Sequence, residues 1–567
     1  MIFNTIKSAV DFYAHIPRYR EIFHILFKYG LADVLKLVAL QKFLKIEDAQ
    51  LPVRKSEILN KPLPERFRLS LEELGPTFVK FGQILSSRRD LITDEYFEQL
   101  SRLQDEVPSF PSKDARKIIE HELNRSIEDV FAVFEDEPIG AASMAQVHKG
   151  ILKDGTTVAV KVQRPDIEKT IELDIAILID LAKFVEKHVP ESGGLNPVGV
   201  VEEFSKTLIK ELDFNNEAQN VERFTRQFED NSDIKAPLVF REISSPRVLV
   251  MEFITGWRID DVDILRKHKV DPVALAQKVT NLIYMQVFDF GFFHGDPHPG
   301  NMTVMAGGVI GLYDFGMMGD FTPEFRESIA LMIAGLAEKD HQQTMRSILE
   351  MSDEGIASNQ QQMLADVENF SNEHLNQPLK DINLGFVLNQ LLELLRKNKL
   401  RMKASFYLGI KALAQVEAIG RSLDPDLNFI VLGEPYAKKV IQNKYSPKEV
   451  LQLLRHLFGE TVDFLKVFPH DFRTFYEGLK RGRYSIPMEH KFDPEGFEPL
   501  RKTLDSVANR LTNAILSASV LICSSIIVLS HIPPRFHGIS VIGALGVCFG
   551  MFMCVRLVFS IWKHGGL

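Results

Sequence analysis

The stretch His294-Gly295-Asp296-Pro-His-Pro-Gly-Asn301, followed by Asp314-Phe315-Gly316, constrains the fold of this chain more than anything else in it. An aspartate and an asparagine stand five residues apart in a Pro/Gly-rich loop. "MTVM", "AGG" and "VIGLYDF" then read as a hairpin with a glycine turn. Such a hairpin turns Asn301 and Asp314 toward one site from its two arms. Their hard oxygens suit Mg²⁺. Asp296 is left as the base or orienter near a nucleophile. Phosphoryl transfer needs those parts and little covalent work from the protein. A Pro/Gly-rich turn capped by Asp and Asn would account for the loop alone. It does not account for the loop joined to Asp-Phe-Gly at hairpin spacing and preceded by a strand lysine.

That lysine is Lys161 in "TTVAVKVQRP". Val158, Val160 and Val162 share one face of the strand, and Ala159 and Lys161 share the other. A lysine facing a cleft from a strand neutralises α- and β-phosphates and needs a helix glutamate to hold it. Glu217 is the candidate, with Glu211 and Asp213 nearby. "GVVEEFSKTLIKELDFNNEAQNVERF" reads as one helix, with Asp213 and Glu217 four apart on one face and Glu211 turned away. Two acidic sites on one helix imply two basic partners. Ahead of the strand, "PIGAASMAQVHKG" occupies the place of a phosphate loop. Only Gly140 in it is glycine; Ala141, Ala142 and Ser143 follow. Alanine and serine narrow the backbone choices that several glycines would leave open. After Asp-Phe-Gly the chain enters a helix near Pro323, with no room for a long activation segment and no Ala-Pro-Glu-like ending. Gly295 stands where regulated protein kinases place an arginine. Both features count against ordinary protein phosphorylation.

The chain has 567 residues, 45% hydrophobic and 25% charged, which fits two to four compact units. A net charge of −9 argues against nucleic acid as a partner. Cys523, Cys548 and Cys554 all lie in the apolar C-terminal region, so the body has no disulfide framework or cysteine zinc site. That region holds two runs, Leu511 to Ile532 and Ile539 to Ile561, each about as long as the ~20 residues that cross a bilayer core. "PPRFHG" between them reads as a hairpin turn. Lys502, Arg510 and Lys563 flank the outer ends, which are expected to face the cytosol, and Arg556 can snorkel outward. Gly546 and Gly550, and Ala514 and Ala518, are four apart, which lets helices approach closely within the hairpin or between copies. No secretory signal opens the chain; its amphipathic N-terminal segment reads as a helix packed on its own domain. Beyond Phe321 the pattern is helical to about Gly482, before a basic linker, "KRGRYSIPMEHK".

Val158–Lys161, His294–Asn301 and Asp314–Gly316 resemble a protein-kinase-like fold. Four further features narrow the resemblance to the UbiB-type atypical kinases, the ubiquinone-biosynthesis accessory family. They are Lys80, Gly82 and Gln83 in "LEELGPTFVKFGQILSSRRDL" (its Lys-x-Gly-Gln motif), the alanine-rich loop Gly140–Ser143, "ELDF" (its Glu-x-Asp motif, at Glu211 and Asp213), and the C-terminal membrane hairpin. The resemblance covers roughly residues 20–562. It implies an α+β architecture with a small β-rich N-lobe, a helical C-lobe, an N-terminal helical extension and a two-helix transmembrane hairpin. The expected boundaries are 1–110 for the extension, 111–325 for the nucleotide-binding core, 326–500 for further helices and linker, and 511–562 for the hairpin. It implies ATP and Mg²⁺ as cofactors. The expected catalytic residues are Asp296 and Lys80, the metal ligands Asn301 and Asp314. The remaining nucleotide-site residues are Lys161, Gly140, Ala141, Ala142, Ser143, Glu217, Glu211, Asp213 and Gln83. The helix carrying Lys80, Gln83 and Ser87 on one face would lie across the cleft, with Lys80 near Glu211 and Asp213. Gly82, costly inside a helix, implies close approach to another surface. The family's loop usually begins with alanine where Gly140 stands, and it favours tight nucleotide binding over protein phosphorylation.

The function so implied is an ATPase at the bacterial inner membrane, its kinase-like domain facing the cytosol. It would assist quinone biosynthesis by handling lipid-soluble precursors beside membrane lipids and the biosynthetic enzymes, with a homodimer through the transmembrane glycines as a further expectation. A phosphotransferase acting on a small molecule or lipid, and a non-catalytic kinase-shaped scaffold, are the alternatives.

Overall fold

The structure, a computed structural model, describes residues 16–31, 56–88, 91–103, 108–188, 196–353, 359–374, 384–444, 497–529, 535–536 and 539–564. Residues 1–455 form one compact unit and 456–567 a second. The end of the helical stretch toward Gly482 and the basic linker lie outside the described residues.

Helix α1 (16–28) carries Tyr19, Ile22, Phe23 and Leu26 at helical spacing, all buried. They pack with Leu71 and Leu74 of α2 (Leu63–Leu74) and with Phe78 and Val79 of α3 (Pro76–Ser87). Arg18 fastens this cluster, donating to the buried Asp174 at 2.8 Å and to the Leu74 carbonyl at 2.8 Å. The N-terminal helix is therefore packed on its own domain, as its pattern indicates. Gly82 lies where α3 meets its neighbours: a Cβ there would stand 2.4 Å from Leu103 Cδ1 and 2.7 Å from Leu71 Cδ1.

The first sheet is antiparallel, in the order β1 (Phe131–Phe134), β3 (Ala145–Leu152), β4 (Thr157–Gln163), β6 (Val248–Glu252), with β2 (Gly140–Ala141) also on β3. Val158, Val160 and Val162 are fully buried in a cluster with Ala115 and Ile119 of helix α4 (Ser112–Leu123). Alternation along β4 turns Lys161 to the other face. Helix α5 (Ile167–His188) follows. A second, four-stranded sheet has the order β5 (Ile234–Lys235), β10 (Ile310–Leu312), β9 (Met302–Val304), β7 (Trp257–Arg258). The β9–β10 hairpin is the one its glycines indicate.

One element departs from the sequence reading. The stretch expected to be a single helix is two: α6 (Pro197–Leu212) and α7 (Phe214–Gln227). Asp213 separates them in an extended conformation, φ −91° and ψ 101°, and its carboxylate accepts the Asn215 N–H at 2.9 Å. It is the N-cap of α7. Glu211 and Glu217 thus belong to different helices.

Helix α8 (Pro272–Tyr284) runs through a π-helical turn, Met285–Phe290, to Gly291 in the left-handed region and then β8 (Phe292–His294). Only six residues separate Gly316 from helix α9 (Pro323–Glu338). Three of them form β11 (Met318–Asp320), paired antiparallel with β8. Helix α10 (Ala404–Leu423) joins the same core, burying Phe406, Tyr407, Ile410 and Val416. In the second unit, α11 (Phe497–Leu529) and α12 (Val541–His564) form an antiparallel pair around a two-strand turn that pairs Arg535 with Ser540 and Phe536 with Ile539. A Cβ on Gly543, Gly546 or Gly550 would collide with Val528, Ser524 or Leu521 of α11. These glycines serve contact within the hairpin.

Candidate nucleotide site

Strand β4 delivers Lys161 to helix α7. Its Nζ donates to both carboxylate oxygens of Glu217, at 2.9 and 2.8 Å, and lies 3.9 Å from Asp314 Oδ1. Burial opposes the charge on Lys161, but Asp314 and Glu217 outweigh it and hold the ammonium above its ordinary value. Burial pushes the Glu217 carboxyl up, and Lys161 pulls against it. Burial likewise acts to raise Asp314, yet Lys161, the Gly316 N–H and the more distant Lys80 hold its carboxyl well below the usual carboxylate range. Asp314 is ionised at neutral pH, with 45% of its side chain exposed.

The hairpin register brings the metal candidates together. Leu312 pairs with Met302, so Asn301, one residue before Met302, and Asp314, two after Leu312, leave the hairpin at the same end. The Asn301 amide nitrogen donates to the Asp296 carbonyl at 3.2 Å, which leaves its amide oxygen available to a metal. Asp314 uses Oδ1 on the Gly316 N–H at 2.9 Å. A few hard oxygens on separate arms fit Mg²⁺, which keeps waters and substrate phosphates in its shell. Among the described residues no cluster of three or more His, Cys, Asp or Glu offers a rival metal site.

His294 ties the two halves of the motif. Its Nδ1 accepts the Asp296 N–H at 3.0 Å, so Nε2 carries the proton and donates to the Asp314 carbonyl at 2.6 Å. Burial lowers its pKa, and the ring is neutral. Asp296 Oδ1 receives Lys411 Nζ at 2.8 Å and Gln415 Nε2 at 2.8 Å, both from α10. Burial acts to raise this carboxyl; Lys411 and Gln415 hold it below its ordinary value. Gly295 fits beneath α10: a Cβ there would stand 2.6 Å from Leu408. Where regulated protein kinases place an arginine, Leu408 leaves this chain no room for a side chain.

Lys80 is buried on α3 and pairs with Glu211 at 2.5 Å. α3 thereby walls a cavity of about 490 Å³ with Phe81, Ile84 and Leu85, opposite Asp213, Glu217 and the Gly316–Asp320 segment. Gly140 and Ala141 pair with Val147 and Gln146, and Ala142 N–H closes the loop on the Ala145 carbonyl at 2.7 Å. Ser143 is buried under that turn. Gln83 donates to the Leu103 carbonyl at 3.3 Å. Among the described residues, neither Ser143 nor Gln83 shares a recorded hydrogen bond with the Lys161 cluster. Sequence reasoning missed Lys411, Gln415 and Asn220, which donates to the Phe315 carbonyl at 2.9 Å. None belongs to a local motif. Asn220 lies one turn after Glu217, and that spacing is the one signal available.

Known proteins resemble this chain along most of its length. Residues 102–348 match the ABC1 atypical kinase-like domain, 367–428 the UbiB helical domain and 495–563 the ABC1/UbiB kinase-like C-terminal domain. A protein of Clostridium pasteurianum, described as an uncharacterized protein in the hydrogenase 1 5′ region, is 31% identical over 540 residues, 95% of this chain and 99% of that protein. The probable protein kinase UbiB of Pseudomonas aeruginosa is 36% identical over 508 residues, 88% of this chain and 93% of the relative. A solved complex of Rv3197 with erythromycin from Mycobacterium tuberculosis aligns with 62% of this chain and 90% of its own, at a TM-score of 0.43 and 23% identity. The chain belongs to the UbiB-type family of ABC1 atypical kinase-like proteins.

Proposed function

We propose that this chain is a membrane-anchored ATPase that spends the Mg-ATP cycle on bringing lipid-soluble quinone precursors to the enzymes of ubiquinone biosynthesis. The observation that carries the nucleotide reading is the assembled set Lys161–Glu217, Asp314, Asn301 and Asp296. Lys161, held by Glu217, neutralises the α- and β-phosphates. Asn301 and Asp314 would hold Mg²⁺, which would supply charge neutralisation to the phosphates. Asp296 orients the attacking oxygen. The biological process is inferred from the family and from the name its relatives carry.

Water or a small acceptor is favoured over a protein by two features. α3 walls the cavity beside Glu217 and the Gly316–Asp320 segment through Phe81, Ile84 and Leu85. The Asp-Phe-Gly segment runs through β11 directly into α9, leaving no activation segment to form a peptide-binding surface. The half-apolar cavity also favours a second reading, phosphotransfer to a small lipid acceptor. The apolar stretch Thr512–Leu529, with mean hydropathy 2.0, supports membrane anchoring. The flanking basic residues favour a kinase-like unit on the cytosolic side of the inner membrane.

The test follows γ-labelled ATP in membranes containing the protein, with Asp314→Asn as control. Free labelled phosphate that disappears in the variant supports the ATPase. Label on a lipid supports the phosphotransferase. Turnover indifferent to Asp314→Asn sinks both.

A further inference from the structure

We infer that Lys411, supported by Gln415, is the positioning cation of the phosphoryl-transfer site, brought from a distant helix because the catalytic loop carries no cation of its own. This rests on the reading of Asp296 as the group that orients the acceptor. The segment His294–Asn301 contains neither lysine nor arginine. Its second histidine, His298, is committed to its own turn, where Nδ1 accepts the Gly300 N–H at 2.9 Å. Lys161 stands with Glu217 and Asp314 on the metal side of the site. In phosphoryl transfer, charge also builds where the acceptor meets the transferred group, and fixed cations there lower the barrier.

Lys411 meets that need by geometry. It lies four residues before Gln415, so both point from one face of α10. Lys411 Nζ and the Gln415 amide nitrogen both reach Asp296 Oδ1, each at 2.8 Å. Two donors on one oxygen fix the carboxylate plane and leave Oδ2 to meet the acceptor. The Gln415 amide oxygen is buried with no hydrogen-bond partner. Nothing on that side of the amide dictates its orientation; Asp296 does. The pair is reached by solvent rather than sealed in the core, with side chains 30% and 28% exposed. An ammonium with one donor on Asp296 keeps others for an arriving phosphoryl oxygen. Its placement is rigid, because Leu408, three residues earlier on α10, sits on Gly295, next to Asp296.

The experiment compares full-length parent, Lys411→Ala, Lys411→Arg, Gln415→Ala and Asp314→Asn in membranes. It measures kcat and KM for ATP, the affinity for a fluorescent ATP analogue, the thermal midpoint, and rescue by ethylammonium. Lys411→Ala is expected to lower kcat by about 100-fold, the lower end of what positioned acid–base groups contribute. Analogue affinity should stay within about threefold, because the α- and β-phosphates belong to Lys161. Ethylammonium should restore about tenfold of the loss in Lys411→Ala and nothing in Asp314→Asn. Lys411→Arg should retain more activity than Ala, and Gln415→Ala should lose less. Lys411→Ala with parental kcat overturns the inference. So does a loss of kcat matched by lost analogue affinity or melting and unmoved by ethylammonium. The nucleotide reading fails separately, by parent turnover that ignores Asp314→Asn, and this inference falls with it.

Discussion

At the scale of single residues, Gly295 shows how a neighbouring helix dictates a motif position. A methyl group there would stand 2.6 Å from Cγ and both Cδ atoms of Leu408. Gly295→Ala should destabilise the protein by about 1–3 kcal/mol, the usual cost of overpacking. Leu408→Ala in the same chain should recover part of it, and a thermal-unfolding cycle over the four proteins would expose that coupling. Additive effects would mean that α10 does not constrain the loop. His148 offers a pH-dependent counterpart outside the site. It is fully buried, its ring is 2.9 Å from the Glu135 carbonyl and 2.8 Å from the Gln146 amide, and burial lowers its pKa. The unfolded chain therefore takes up the proton first. The contribution of His148 is complete above its unfolded pKa, about 6.5, and is lost as pH falls below it, by at most about 1.4 kcal/mol per pH unit. Denaturant unfolding between pH 7 and pH 5 should show a steeper decline in the parent than in His148→Gln. Equal slopes would refute the assignment. Lys161, Asp296, Asn301 and Asp314 were legible because each stands in a short motif whose spacing carries its chemistry. Lys411 was not, since its partner lies more than a hundred positions away and "IKALAQ" reads as ordinary amphipathic helix.

At the scale of elements, the break between α6 and α7 explains how one acidic stretch serves two lysines. Glu211 ends α6 and meets Lys80; Glu217 sits in the first turn of α7 and meets Lys161. The sequence hides the break because no glycine or proline interrupts the stretch from Val200 to Gln227. The clue was Asp213, whose short carboxylate caps a helix better than it sits inside one. Asp213→Ala should cost about 0.5–2 kcal/mol for the lost cap. It should also weaken nucleotide binding, because the cap sets the start of the helix that aims Glu217. Asp213→Ser should recover both, as measured by thermal unfolding and analogue affinity; affinity unchanged in the Ala variant would separate the cap from the site. α10 acts similarly across a longer reach. Arg88, following α3, lies over the Tyr407 ring at 5.1 Å, while Lys411 and Gln415, on the same helix, hold Asp296. α10 thus touches both the residue that follows α3 and the loop that carries Asp296.

At the scale of the whole molecule, the candidate site lies in the first unit and the apolar hairpin in the second. Among the described residues, the three buried hydrophobic clusters draw on residues 19–437, within the first unit. The hairpin has the opposite character. Its small residues are used where the two helices meet, and Ile522, Ile526, Leu545, Phe549 and Val555 are more than half exposed. An apolar surface of that kind in water is a liability, and in a bilayer it is the surface lipid covers. The hairpin was legible from composition, since a run without charge and a run whose one charge is Arg556 stand on either side of a Pro-Pro turn. A chain ending at Arg455 should therefore remain folded and keep Asp314-dependent release of phosphate at about the full-length rate. It should stay at the bottom of a density gradient with vesicles of bacterial phospholipid, while the full chain floats with them. Flotation of the shortened chain would place the membrane contact in the first unit. A shortened chain that melts tens of degrees earlier would show that the hairpin completes the fold.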